Sequence, residues 1–377
     1  RLELKRRRRR TATLRREYAA LKSSPAFLLR GAKMPFHVRW TRTKMVAVAG
    51  FVLPLHVVLA QIPVFSDDFE SGDLYAWSAV VPTIALDPDL PGPYTVGSPF
   101  IESVTVAATG NTFDVKVWRP TAGPDAGPWP VVVLAHGNQL PIAQYDGYAS
   151  RLASFGYVAL NADYPSPLGA PNHLVAAQNL RGVFTWAATA PSISGLVDLT
   201  RTALVGHSVG GKLGLLAATL DPQVDVVVTL DPVDGVPAGC TLQNCPDVSS
   251  LMSSLAIPTL FVGETLDATS EFGQACAPAA DNYTTFYAGT PPPSVEVTVL
   301  GAGHMSFLDD LANCGFTCSF CRTPTTANAT VNGLAKAYTV AFLQRHLRGI
   351  ASYDTYITGA LAQSRYIDTG IATLQSR

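Results

Sequence analysis

The apolar run Ala203-Leu204-Val205 passes directly into Gly206-His207-Ser208-Val209-Gly210, and this junction restricts the folds open to the chain more than any other stretch. Consecutive apolar residues without polar interruption suit a strand buried on both faces. The G-x-S-x-G pattern that follows fits a tight strand-to-helix turn, with glycines wherever a Cβ would strike a neighbouring element. Helix-forming Lys212-Leu213-Gly214-Leu215-Leu216-Ala217-Ala218 comes next. The five-residue pattern recurs by chance, so its weight comes from this strand-before, helix-after setting. Ser208 is then expected at the end of the strand with its hydroxyl exposed.

The rest of the chain repeats the strand–helix alternation. Phe100 to Val106 and Thr112 to Trp118 alternate apolar and polar residues, as an antiparallel hairpin at a sheet edge would. Val131 to Ala135, Val158 to Ala162, Arg201 to Val205, Val224 to Leu230 and Thr259 to Val262 read as buried strands, with Val295 to Leu300 as the last. Helices are expected at Tyr148 to Phe155 and Leu174 to Ala188, with Val331 to Leu347 as the closing helix. Together these predict an α/β fold: a mostly parallel central sheet, helices on both faces and an antiparallel N-terminal edge. Ligands on such sheets bind beyond the carboxyl ends of the strands.

Charge divides the chain. Of 27 Lys and Arg residues, 15 lie within 1–44, whereas from Gln61 onward 12 basic residues face 26 acidic ones, a net of −14. That body should repel nucleic acid and other polyanions. The basic run Lys5 to Arg10 could form a nucleic-acid patch, but residues 1–33 read better as an upstream extension foreign to the mature protein. Residues 34–60 read as a signal peptide: basic Arg39, Arg42 and Lys44, apolar Met45 to Val58, and a small-residue cleavage site at Ala60. Its apolar core is shorter than the roughly 20 residues of a membrane span. Residues 61–81 read as a linker, and 82–377 as the catalytic domain.

All six cysteines (Cys240, Cys245, Cys276, Cys314, Cys318, Cys321) follow the Ser208 turn, and an exported chain favours disulfides. Cys314-x₃-Cys318-x₂-Cys321 resembles a zinc set, yet it lacks a histidine at ligand spacing. Fifteen pairings are possible for six cysteines; Cys240 with Cys245 is the one pair the spacing suggests.

A serine hydroxyl needs a neighbouring base to act as a nucleophile. His304, in Gly301-Ala302-Gly303-His304-Met305, follows the last expected strand on what reads as a flexible loop. Among the other histidines, His173 reads as a loop residue. The acid that orients the base has two candidates, Asp231 in Leu230-Asp231-Pro232-Val233-Asp234 and Asp267 in Gly263-Glu264-Thr265-Leu266-Asp267. Either strand end can reach the same imidazole, so spacing leaves the choice open. The oxyanion donors are expected to be the amides of Val209, next to the serine, and Asn138, after His136-Gly137.

His136-Gly137, Gly206-His207-Ser208-x-Gly210-Gly211-Lys212, Leu230-Asp231-Pro232-Val233 and Gly303-His304-Met305-x-Phe307-Leu308-Asp309-Asp310 together resemble the chlorophyllase-like branch of the α/β-hydrolases, serine esterases. The resemblance spans about Val131 to Gly349. It implies Asp231 as the acid, as in plasma-type platelet-activating-factor acetylhydrolases. Gly92-Pro93-Tyr94-Thr95-Val96, Arg151 to Val158 and Pro258-Thr259-Leu260 are similar instead to cutinase-like polyester (PET) hydrolases, which implies Asp267. The chain departs from the second group at Asn138 and Val209, and from chlorophyllases at Val209.

The expectation is a secreted, monomeric carboxylic-ester hydrolase with catalytic Ser208, Asp231 and His304 and oxyanion donors Asn138 and Val209, needing neither metal nor organic cofactor. Its partner would be a hydrophobic ester, whether small molecule, lipid or polyester, with no nucleic acid and no stable membrane insertion. The alternatives are a polyester hydrolase using Asp267 and an inert binding module on the same scaffold. Loops Tyr164 to His173, Val233 to Ser250 and Ala268 to Tyr287 are expected to shape the pocket.

Overall fold

The computed structural model describes residues 85–377, apart from Leu168, Ala170, Ala238 and 271–274. The upstream extension, signal peptide and linker expected in residues 1–81 lie outside the described residues.

Strands β1 (Thr95–Val96) and β4 (Pro120–Ala122) form a small antiparallel pair. The others build one nine-stranded sheet. In chain order these are β2 (Phe100–Thr105), β3 (Thr112–Trp118), β5 (Trp129–Ala135), β6 (Val158–Ala162), β7 (Val197–His207), β8 (Val226–Leu230), β9 (Thr259–Glu264), β10 (Ser294–Val299) and β11 (Ala372–Ser376). Their spatial order is β11-β10-β9-β8-β7-β5-β6-β3-β2. Pairings from β6 through β10 are parallel, and β2 with β3 forms the antiparallel hairpin read from its alternation. This is the α/β-hydrolase architecture.

The apolar strands bury both faces. Val132 and Leu134 of β5 face one core with helices α1 (Asp146–Ser154) and α5 (Asn328–His346). Val131, Val133 and Ala135 face the other, with α2 (His173–Ala187), α3 (Val209–Leu220) and α4 (Tyr283–Gly289). Two such layers explain why no residue in Trp129–Ala135 is exposed.

One reading needs correction. β10 is not the last strand: β11 pairs antiparallel with it, Val299 opposite Ala372. As an edge strand β11 is mostly exposed, so its residues carry little of the apolar signal that marks the inner strands.

Topology places the site. After β5 the chain adds β6 on one side and then crosses to place β7 on the other. Loops leaving β5 and β7 therefore diverge, opening a crevice beyond their carboxyl ends. Register brings the exits level: Ala135 lies beside Gly206, His207 beside Leu230, and Leu230 beside Val262.

Candidate active site

The turn between β7 and α3 is forced by contacts. A Cβ on Gly206 would come within 2.3 Å of the Gly210 carbonyl oxygen, and one on Gly210 within 2.3 Å of the Ala135 carbonyl oxygen. Ser208 adopts φ +57°, a region costly for a residue with a side chain. Its own amide is anchored to the Leu230 carbonyl (3.0 Å), so the strained residue is held from the neighbouring strand.

From Ser208 a chain of short hydrogen bonds runs inward. The Ser208 hydroxyl lies 2.8 Å from His304 Nε2, and His304 Nδ1 lies 2.6 Å from Asp231 Oδ2. Asp231 leaves β8 with φ +45° and is completely buried. Desolvation raises its pKa, with the His304 hydrogen bond and charge acting against that. Asp267, the competing candidate, is buried too, but it faces the main chain: Oδ2 accepts the His304 amide (2.7 Å) and Oδ1 the Arg322 amide (2.9 Å). The geometry thus joins Ser208, His304 and Asp231 through side chains, and Asp267 through the backbone of His304.

His304 is not on a loose loop as the sequence suggested. It opens a 3-10 turn, His304–Phe307, in which the Ser306 hydroxyl accepts the Gly303 amide at 3.1 Å. Its carbonyl accepts a hydrogen bond from His207 Nε2 (2.9 Å). That donation leaves His207 Nδ1 to accept from the Tyr145 hydroxyl (2.9 Å), which itself accepts the Gly137 amide (2.9 Å). Burial, with neighbouring His304, pushes the His207 imidazole down to about 3, so it stays neutral. Tyr145 stands in no recognisable motif, and nothing in the sequence flagged it. The contact network alone reveals that it ties the loop after β5 to the Ser208 turn.

The expected oxyanion donors lie together. Asn138, Ser208 and Val209 line one 370 Å³ cleft. Val209 is the first residue of α3, where amides have no intrahelical acceptor. Gly137 can approach closely because it lacks a Cβ, which would stand 3.3 Å from that of Ser208. His136 stiffens this loop: its ring stacks on Tyr164 at 4.2 Å, and the Tyr164 hydroxyl donates to its carbonyl at 2.6 Å.

All three loops expected to shape a pocket contribute, through Tyr164, His173, Val233 and Cys276 among others. His173 corrects a further reading. Rather than a loop residue, it is the first residue of α2, buried against the cleft beside the cap Asn172. Burial, aided by Lys212, pushes its imidazole down to about 4.

Lys212 is buried with its Nζ 3.0 Å from Asp234 Oδ1 and 2.9 Å from the Asp234 carbonyl, pinning α3 to the segment that follows Asp231. The cysteines form Cys240–Cys245, Cys276–Cys321 and Cys314–Cys318 disulfides, so the zinc-like spacing holds no free thiolates.

Residues 92–362 match the chlorophyllase family model. Among curated relatives, bis(hydroxyethyl) terephthalate hydrolase of Streptomyces coelicolor is 26% identical over 270 residues, covering 71% of this chain and 72% of that protein. Chlorophyllase-1 of Arabidopsis thaliana is 27% identical over 276 residues, covering 66% and 81%. Cutinase 1 of Thermobifida cellulosilytica is 24% identical over 228 residues, covering 60% and 77%. With the family match running from the segment before β1 to the segment after α5, across every element that supplies the site, the chain belongs to the chlorophyllase family.

Proposed function

We propose that the protein is a secreted serine carboxylic-ester hydrolase in which Ser208 is the nucleophile, His304 the general base and acid, and Asp231 the residue that orients His304. The observation that carries this reading is the hydrogen-bond chain from the Ser208 hydroxyl through both ring nitrogens of His304 to buried Asp231. In the first step the Ser208 proton passes to His304 Nε2 while Oγ bonds to the ester carbonyl carbon. The carbonyl oxygen becomes an oxyanion, stabilised by the Asn138 and Val209 amides. Collapse breaks the bond to the alcohol, which takes the proton from His304. Water then repeats the sequence on the acyl-enzyme and releases the acid. The scheme uses side chains and amides of this chain throughout.

The cleft sets apolar Pro165, Pro167, Pro171, Val233 and Val236 beside polar Asn138, Ser166, Asn172 and His173, which supports an ester with an apolar group next to its carbonyl. Its 370 Å³ lies near the lower end of ligand-pocket sizes, roughly 300–1,000 Å³, and suits a compact acyl or alcohol group. Relatives named for a terephthalate ester and for cutin support a second reading, hydrolysis of polyester-type esters at this same site. Three disulfides support export to an oxidising compartment. Among the described residues no helix is long and apolar enough to cross a membrane.

Ser208→Ala is expected to abolish turnover of short p-nitrophenyl esters while leaving the circular dichroism spectrum and Tm close to those of the parent. Parent-like turnover in that variant would end the proposal.

A further inference from the structure

The His304 main chain is gripped on both sides by buried side chains. Its carbonyl accepts a hydrogen bond from His207 Nε2 at 2.9 Å, and its amide donates to Asp267 Oδ2 at 2.7 Å. A carboxylate that accepts a main-chain N–H makes a short, charge-assisted bond, stronger than one between neutral groups. Each Asp267 carboxylate oxygen accepts a main-chain amide, Oδ1 that of Arg322 at 2.9 Å.

Asp267 is itself fixed by the Cys276–Cys321 disulfide. The residue after each cysteine is bonded to it: the Ala277 amide donates to the Asp267 carbonyl at 3.1 Å, and the Arg322 amide to its carboxylate. The two sulfurs and a carboxylate oxygen of Asp267 lie within 4.8 Å of one another. From the chain side, the Asp267 amide donates to Glu264 at 3.0 Å. The bridge, Asp267 and the His304 amide thus form one contiguous unit behind the imidazole.

We propose that Asp267 is a positioning residue, clamping the His304 backbone opposite His207 and held in register by the Cys276–Cys321 disulfide. This rests on the reading of Ser208, His304 and Asp231 as the reacting and orienting groups. The clamp acts on where the imidazole sits between Ser208 and Asp231. Its loss should therefore slow the chemical step and leave substrate binding alone. A displacement of about 1 Å in such a group can cost on the order of 10²-fold in rate.

The test compares Asp267→Asn, Asp267→Ala, Asp231→Asn, the Cys276→Ser/Cys321→Ser pair, and that pair combined with Asp267→Ala. Each purified protein is assayed with p-nitrophenyl butyrate for kcat and KM, with Tm recorded alongside. Asp267→Ala should lower kcat by roughly 10- to 100-fold with KM within about twofold. Asp267→Asn, which keeps one acceptor, should fall between it and the parent, and it serves as the probe if the alanine variant does not fold. Asp231→Asn should cost on the order of 10⁴ in kcat. Removing the bridge should lower kcat in the parent and add little in Asp267→Ala, because both act on one coupled unit.

A parent-like kcat in Asp267→Ala, or a loss confined to KM, overturns the proposal. Fully additive losses overturn the link to the disulfide. A 10⁴-fold loss in Asp267→Asn with a mild effect of Asp231→Asn would make Asp267 the orienting acid and sink the positioning role. Fluorophosphonate labelling of Ser208 separates the two failures: no labelling of the parent discredits the serine-esterase reading, whereas strong labelling with a parent-like Asp267→Ala discredits only the clamp.

Discussion

At the scale of single residues, three buried carboxyl groups lie around His304, two of which, Asp231 and Asp267, the sequence leaves as competing candidates for the orienting acid. Asp231 faces the imidazole, Asp267 the main chain of the same histidine, and Glu264 the amides of Leu266 and Asp267. Glu264 carries a large cost of its own: burial, then the charge of Asp231, pushes its carboxyl up to about 9. A folded-state pKa above the unfolded one means the native state binds more protons from about 4.5 upward, so stability is lost as pH rises through 9. Glu264→Gln, which mimics the protonated form, should therefore gain in Tm relative to the parent as pH increases from 5 to 9. A Tm difference that is flat across this range, followed by calorimetry, would refute the assignment.

At the scale of elements, the junction of β7 and α3 was legible because sterics leave few residues able to occupy it. Gly206 and Gly210 are dictated by backbone atoms that would overlap any Cβ. The pin beneath α3 was not legible, since a lysine in a helix ordinarily faces water. Here Lys212 is fully buried against Asp234, whose carboxylate also accepts the Val248 and Ser249 amides at 3.0 and 2.7 Å. Desolvation lowers the Lys212 pKa and raises that of Asp234, each opposed by the other's charge. Removing one partner strands the other charge, a loss of about 3–5 kcal/mol. Lys212→Met should show it as a shifted urea midpoint, and Lys212→Met/Asp234→Asn should recover part of it. A single variant as stable as the parent would show that the pair is dispensable.

At the scale of the whole molecule, the crossing from β6 to β7 creates the crevice, lined by the segments that follow β5, β6, β7, β8 and β9. Burial holds three histidines neutral: His173 and His207 around the crevice, and His346 at the end of α5. Burial, joined by Lys212 at His173, by His304 at His207 and by Arg345 at His346, pushes the three imidazoles down to about 4, 3 and 4. Each folded-state value lies below the ordinary imidazole value of about 6.5, so the unfolded chain takes up protons first. Their contribution to stability is complete above about pH 6.5 and is lost as pH falls toward 4. The Tm of the parent should consequently fall relative to that of His173→Phe between pH 7 and pH 4.5. A gap that stays constant or widens in the parent's favour would count against a buried neutral His173.

What the sequence determined was whatever local sterics and burial enforce one segment at a time. Uninterrupted apolar runs had to be inner strands, and glycines around Ser208 had to form a tight turn. The Cys240–Cys245 pair was also readable. The edge strand β11 escaped because half-exposed residues carry little apolar pattern, and His173 and Tyr145 because neither stands in a motif. The choice between Asp231 and Asp267 belongs to tertiary structure. Both lie at the ends of adjacent parallel strands, within reach of one histidine, and a carboxylate's partner depends on its direction in space rather than its place in the chain. Asp231, turned out of β8 by its left-handed backbone, faces the ring of His304, whereas Asp267, three residues beyond β9, faces its main chain.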